Sequence, residues 1–255
     1  MTFIGKFPFG QEVKEVAQTD RTRKRVFVLG IHSSAVHARW VGLDNQTIAN
    51  AFAVASEPCI FWRGDNAESI IERIPIPKEV GALVPANQHF NGAYGVALDD
   101  LILKPLKLSR SDAWLCDLVP HSLVNLNQQM AIERAYLPVA KKYGLPASTV
   151  PPVPRVLADD ERRKAIHAEL EESGADILIL LGDKPIRCFP DPADTQWKWK
   201  KLEDFGEPYG QLHSAHINGK KMNILPLAHP RQIAGLGESS HIWRRLHRKW
   251  VVCPT

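Results

Sequence analysis

The sequence predicts an α/β fold: a single domain with a central, mainly parallel four-stranded sheet flanked by helices, with accessory β-hairpins. Three observations predict it. Four short aliphatic runs recur along the chain: residues 25–31 (RVFVLGI), 113–118 (AWLCDL), 176–181 (DILILL) and 223–228 (NILPLA). Such near-continuous runs, without alternation, are expected of parallel strands covered on both faces. Stretches of helical periodicity separate the later runs. The length, 255 residues at 44% apolar and 24% charged, suits one large core without requiring two.

Residues 1–24 are largely polar and close on the basic run Arg21, Arg23, Lys24 and Arg25, which suggests a lead-in arm or short helix. The α/β domain then occupies 25–255. After the first strand, residues 37–42 and 47–55 flank Leu43-Asp44-Asn45-Gln46 and read as a hairpin. A helix is expected over 127–143, with Ile132, Tyr136 and Val139 on one face and a kink at Pro138. Another precedes the third strand. Asp159, Asp160 and Glu161 place negative charge at its start, Ile166 and Leu170 share a face, and Ser173-Gly174 ends it. Asn218-Gly219 is the best hairpin turn in the chain and feeds the fourth strand. A last helix is expected over 239–250, capped by Ser239 or Ser240, with Ile242, Leu246 and Trp250 as its buried stripe.

Composition narrows the function classes. The four cysteines, Cys59, Cys116, Cys188 and Cys253, form no C-x-x-C pair, which argues against a zinc ribbon or an iron–sulfur site. No apolar run approaches the roughly 18 residues that span a bilayer, and the N-terminus lacks a signal pattern. A cytoplasmic protein without a membrane partner is expected. The net charge, 32 − 28 = +4, is compatible with a polyanionic partner.

Ligands of open α/β sheets bind beyond the carboxyl ends of the strands. Gly30-Ile31-His32-Ser33-Ser34 stands there after the first strand, and Asp117-Leu118-Val119-Pro120 after the second. Gly182-Asp183-Lys184 follows the third, and His229-Pro230-Arg231-Gln232-Ile233 the fourth. A nucleophile elbow, a phosphate-binding loop and a dinucleotide fingerprint are all missing from the sequence. His32, His37, His229 and Asp117 match no metal signature, so neither metal nor cofactor is expected.

In their order along the chain these segments resemble the uracil-DNA glycosylase superfamily. Gly30-Ile31-His32-Ser33 is similar to its first motif, Gly-x-(Asp/Asn)-Pro, and Ala228-His229-Pro230-Arg231 to its late His-Pro-Ser motif. Phe61-Trp62-Arg63 resembles the Phe-Trp element of mismatch-specific members. Cys116-Asp117-Leu118-Val119-Pro120 resembles the polar-ended strand, and Ile179-Leu180-Leu181-Gly182 the Leu-Gly strand end. The likeness runs from about Val26 to Trp250. His32 stands where Asp or Asn is usual, Ser33 where Pro is, and Arg231 where Ser is.

The resemblance implies a monofunctional DNA glycosylase that flips a uracil or another modified base and hydrolyses its N-glycosidic bond. Its catalytic residues would be His32, which positions water, Asp117, and His229, which donates to the leaving base. Gly30, Ile31, Phe61, Trp62 and Asp117 would bind the base, with one of the two aromatics stacking on it. Ser33, Ser34, Arg231, Gln232 and Ile233 would contact DNA, Ile233 as an apolar wedge with Leu236 second. Single- or double-stranded DNA is the expected partner of a monomer. Basic residues on the last helix (Arg244, Arg245, Arg248, Lys249) and the segment Trp197-Lys198-Trp199-Lys200-Lys201 suit phosphate contact. The bland alternatives are a solvated helix face and an edge strand with its Trp residues packed inward. Two other functions remain open: a catalytically inactive nucleic-acid-binding module on the same fold, and a small-molecule hydrolase on a similar sheet.

Overall fold

The structure is a computed structural model that describes residues 3–191, 193–236 and 240–254. In chain order the strands are β1 (Val26–His32), β2 (Ala35–Val41), β3 (Thr47–Ser56), β4 (Ala82–Pro85), β5 (Ala113–Val119), β6 (Ile177–Leu181), β7 (His213–Ile217) and β8 (Lys220–Leu227). The α-helices are α1 (Ala67–Glu72), α2 (Ala93–Leu98), α3 (Leu126–Ala131), α4 (Leu137–Tyr143), α5 (Asp160–Ser173), α6 (Asp183–Cys188), α7 (Pro230–Ile233) and α8 (Ser240–Val252). The chain packs as two compact units, each gathered from separate stretches.

The larger unit comprises residues 17–32, 94–120 and 156–254 and carries a five-stranded sheet in the order β5-β1-β6-β8-β7. The four aliphatic runs form its parallel strands, with β1 between β5 and β6, and β8 beyond β6. The expected count of four is one short. Asn218 and Gly219 both adopt positive φ (51° and 76°), so a two-residue turn folds β7 back antiparallel onto β8. Its sequence, His213-Ser214-Ala215-His216-Ile217, is half exposed, so no apolar run marked it as a strand.

At the opposite edge, β5 would present unpaired backbone groups to solvent. Gln18 accepts the Leu115 N–H at 3.3 Å, while Arg162 on α5 donates to the carbonyls of Asp117 (2.7 Å) and Leu118 (3.2 Å). Helix α5 forms as expected. The Asp159 side chain accepts the Arg162 N–H, and Gly174 ends the helix at φ 60°.

The smaller unit comprises residues 3–16, 33–93 and 121–155. Its antiparallel sheet has the order β3-β2-β4; β2 and β3 are the expected hairpin. The core gathers around Trp40, Phe9 and Tyr136. Tyr136 Oη accepts the Phe9 N–H (2.9 Å) and donates to the Pro146 carbonyl (2.6 Å). The lead-in residues are more apolar in use than in composition. Phe7, Phe9, Val13 and Val16 are buried, and one 3-10 turn, Pro8–Gly10, takes the place of a helix.

The helix expected over 127–143 is present with a π-turn at Ile132–Tyr136 between α3 and α4. The Leu137 N–H reaches back five residues to Ile132, and Pro138 follows with no N–H to give. A second π-turn, Asp99–Leu103, continues α2 and likewise stands just before a proline, Pro105. Among the described residues, no helix is long and apolar enough to cross a membrane.

Candidate active site

The strand order locates the switch point of the sheet. From β1 the chain next enters the sheet at β5 on one side, and from β6 it goes on to β8 on the other. The carboxyl ends of β1 and β6 therefore flank the topological switch point, where open α/β sheets bind ligands. His32 closes β1, Gly182 follows β6, and His229 follows the adjacent β8. All three belong to the larger unit.

His229 is the best-defined group at this rim. It caps α7: its backbone N–H donates to Gln232 Oε1 (3.2 Å), and its Nδ1 accepts the Arg231 N–H (3.2 Å). An imidazole that accepts at Nδ1 carries its proton on Nε2 when neutral. Burial holds the ring neutral by lowering its pKa to about 3, and His32 and Arg231 push the same way. The Tyr94 ring on α2 meets the imidazole edge-on, with centroids 5.8 Å apart. Behind it, Gly182 sits at φ 84° and ψ −177°, a conformation reserved for glycine, where a Cβ would lie 3.4 Å from that of His229. The chain after β8 thus holds a neutral imidazole whose Nε2–H is a fixed donor.

The other expected residues divide between the units. Gly30 and Asp117 are direct neighbours in the β1–β5 register, Ile31 is half-buried, and His32 is exposed. Asp117 was expected as a carboxylate on the rim. It is buried instead, at 3% exposure, two residues short of the end of β5. Arg231 is exposed and its Nε donates to the Leu236 carbonyl (3.3 Å); Gln232 is half-buried against His229. Ile233 is buried at 3% exposure, so it packs inside its own unit and is not presented as a wedge. Leu236 is half-buried.

Ser33, Ser34, Phe61 and Trp62 lie in the smaller unit. Ser33 is buried and does not face solvent phosphate. Ser34 donates its N–H to the buried Glu57 carboxylate (3.0 Å), and its carbonyl accepts from the Ser122 hydroxyl. Trp62 is a core residue whose Nε1 donates to the Asp65 carbonyl (3.0 Å). Phe61 takes a positive φ of 52° and is also buried. His37 lies in the smaller unit too, whereas His32 and His229, with which it was grouped in sequence, belong to the larger.

Two basic segments resolve differently. On α8, Arg244, Arg245, Arg248 and Lys249 are all exposed, and among the described residues none of them forms an ion pair. Arg244 lies over the turn after α7, its guanidinium 2.9 Å from where a Cβ on Gly235 would be. In 197–201 no strand forms. Trp199 stacks on Phe205 at 4.7 Å, Trp197 Nε1 donates to the Ile186 and Trp199 carbonyls, and the lysines remain exposed. The glycine-rich turn 235–240 falls partly outside the described residues, including the expected cap Ser239.

Tyr94 carries no motif and was missed in sequence. So were Tyr209 and His247. Tyr209 accepts the Ala228 N–H (2.9 Å) and meets His247 Nδ1 (2.8 Å). The spacing of Trp243, His247 and Trp250 was the available signal. That face, with Leu246, is the one α8 turns inward, and Ile242 is 47% exposed.

Comparison with protein-family models finds no match for this chain, and comparison with curated proteins finds none either.

Proposed function

We propose that the chain is a DNA glycosylase that takes a uracil or another modified base out of DNA and hydrolyses its N-glycosidic bond. The observation that carries the reading is His229: a neutral imidazole, fixed by its own turn, with Nε2–H as donor at the switch point of the sheet. Cleavage of the bond leaves negative charge on the departing base. A donor held in place before the charge develops stabilises it without reorganisation. A neutral imidazole suits this task, because its N–H polarises a carbonyl without surrendering the proton beforehand. Water adds at the sugar carbon as the base leaves, and exposed His32 at the end of β1 orients that water and takes its proton. Tyr94 lines the same rim beside His229. The exposed cationic face of α8, next to the turn that follows α7, suits the phosphate backbone. His32 and Arg231 in place of the usual superfamily residues favour a base other than ordinary uracil.

The test is a panel of oligonucleotides, each bearing one modified base, incubated with protein and then treated with alkali to break abasic sites. Cleavage at one base class is expected. His229→Ala should reduce it by about 10²–10³-fold, the size of losing one preorganised donor, and His32→Ala should also reduce it. Salt-sensitive DNA binding with no cleavage of any base would favour the binding module. Failure to bind DNA even at low salt would remove both nucleic-acid readings and favour a small-molecule hydrolase.

A further inference from the structure

The turn that carries His229 is held by a closed circuit of contacts within the larger unit. It begins with an orphan. β8 ends at Leu227, and the buried N–H of Ala228 lies beyond the sheet. A buried donor left without a partner destabilises the fold, because its lost hydration is not replaced. Tyr209 Oη supplies the acceptor at 2.9 Å, and its O–H is free to donate onward. It meets His247 Nδ1 at 2.8 Å, while His247 Nε2 meets the Leu101 carbonyl at 2.7 Å. A carbonyl can only accept, so His247 carries its proton on Nε2 and accepts at Nδ1, and Tyr209 is the donor between them.

The far end of the relay has its own sequence cause. In an α-helix the Leu101 carbonyl would receive the N–H of the residue four positions on, which is Pro105. Proline has none. The Leu106 N–H goes to Ile102 instead, and the ladder opens into the π-turn Asp99–Leu103. The Leu101 carbonyl is therefore available, and His247 takes it. That π-turn continues α2, which begins beside Tyr94, the residue whose ring meets His229. The path runs from His229 to Tyr94, along α2 to Leu101, through His247 and Tyr209 to Ala228, and back to His229.

We propose that Tyr209 and His247 are positioning residues, which fix the direction of the His229 Nε2–H through the backbone of Ala228. Both act on the turn through hydrogen bonds to backbone and to each other. Burial keeps both in the protonation states the relay needs: it raises the pKa of the Tyr209 hydroxyl and lowers that of His247 to about 4. Gly210, next to Tyr209, lets Trp250 of α8 close over the segment; a Cβ there would come within 2.5 Å of the indole. Helix α8 thus contributes His247 to the relay while its outer face stays cationic.

The catalytic part of this inference rests on the glycosylase reading, and the structural part does not, so the experiment has two arms. In the first, histidine ring resonances are assigned by NMR in the intact protein without substrate. The unmodified protein should show His247 protonated on Nε2; protonation on Nδ1 would overturn the relay without any variant. Tyr209→Phe keeps the ring and removes the hydroxyl, and should shift the His229 resonances. His247→Leu should do the same, whereas His247→Gln, which retains a donor and an acceptor, should stay close to the unmodified pattern. Leu170→Ala, a core truncation on α5, controls for stability loss alone and should leave His229 unmoved. His229 resonances unchanged in both Tyr209→Phe and His247→Leu would overturn the proposal.

In the second arm, Tyr209→Phe should lower kcat about tenfold with KM unchanged, the pattern of an interaction expressed in the transition state. If no base is excised by any form, the glycosylase reading fails and the spectroscopic arm still decides the relay. If bases are excised and Tyr209→Phe changes neither kcat nor the His229 signal, the relay fails and the reading stands.

Discussion

His229 sits where two demands on an imidazole meet: capping the chain and presenting a donor. Its Nδ1 is occupied by the Arg231 N–H, and burial holds its pKa to about 3. On the proposed mechanism the working form is neutral, so protonation removes nothing until pH falls toward that value. Excision should therefore show no acid limb from His229 between pH 8 and about 5. A limb centred near 6.5, the ordinary histidine value, that vanishes in His229→Ala would show that the ring titrates normally and is not held neutral. At this scale much was legible. Gly30, His32 and His229 stand at or next to strand ends, as the short motifs indicated. Asp117 and Ile233 were also read as rim residues, and both turned out to be buried. Sequence offset from a strand end does not say which way a side chain points.

At the scale of elements, prolines and glycines decide the local geometry of helices and turns in each unit. Pro105 and Pro138 each follow a π-turn, in which the N–H of the residue just before the proline reaches back five residues. Gly182 turns the chain from β6 into α6 at φ 84° and lies against His229. Gly182→Ala should cost about 1–3 kcal/mol in urea unfolding, the usual strain of a side chain in a glycine-only region. It should also disturb His229. A variant as stable as the parent would mean that this turn relaxes freely. The parallel strands and α5 were plain in sequence, since aliphatic runs and an Asp-capped, Gly-terminated helix are local signals. β7 was legible only as the arm that the Asn218-Gly219 hairpin requires, because an edge strand half open to solvent needs no apolar run. Of the stripe expected on α8, Trp250 is buried and Leu246 half-buried, but Ile242 is exposed, and His247 was missed because its partner, Tyr209, lies almost forty residues upstream and only folding brings it there.

For the whole molecule, three desolvated histidines predict how stability responds to acid. His37, His229 and His247 have their pKa values lowered by burial to about 4, 3 and 4, from an ordinary 6.5. Each binds a proton more readily in the unfolded chain. Stability therefore rises with pH through this range and is lost as pH falls below about 6.5 toward the folded-state values. Each histidine contributes up to about 1.4 kcal/mol per pH unit within that window. Urea unfolding between pH 7 and 4.5 should show the decline, and His247→Gln should reduce its slope. A stability flat over that interval would mean that these rings ionise in the folded protein as they do in the unfolded chain.

The sequence by itself determined the α/β class, the four parallel strands, the hairpins and the strand ends at which polar residues gather. These follow from hydrophobic periodicity, turn chemistry and capping, all of which act between near neighbours along the chain. Tertiary structure alone decided that the Asn218-Gly219 hairpin adds a fifth strand to the larger sheet, the division into two units and the burial of Asp117 and Ile233. It also decided the tie from Leu101 through His247 and Tyr209 to the turn of His229. Hydrogen bonds between residues more than a hundred positions apart leave no pattern in composition or spacing, because what selects them is an unsatisfied group that exists only once the chain has folded.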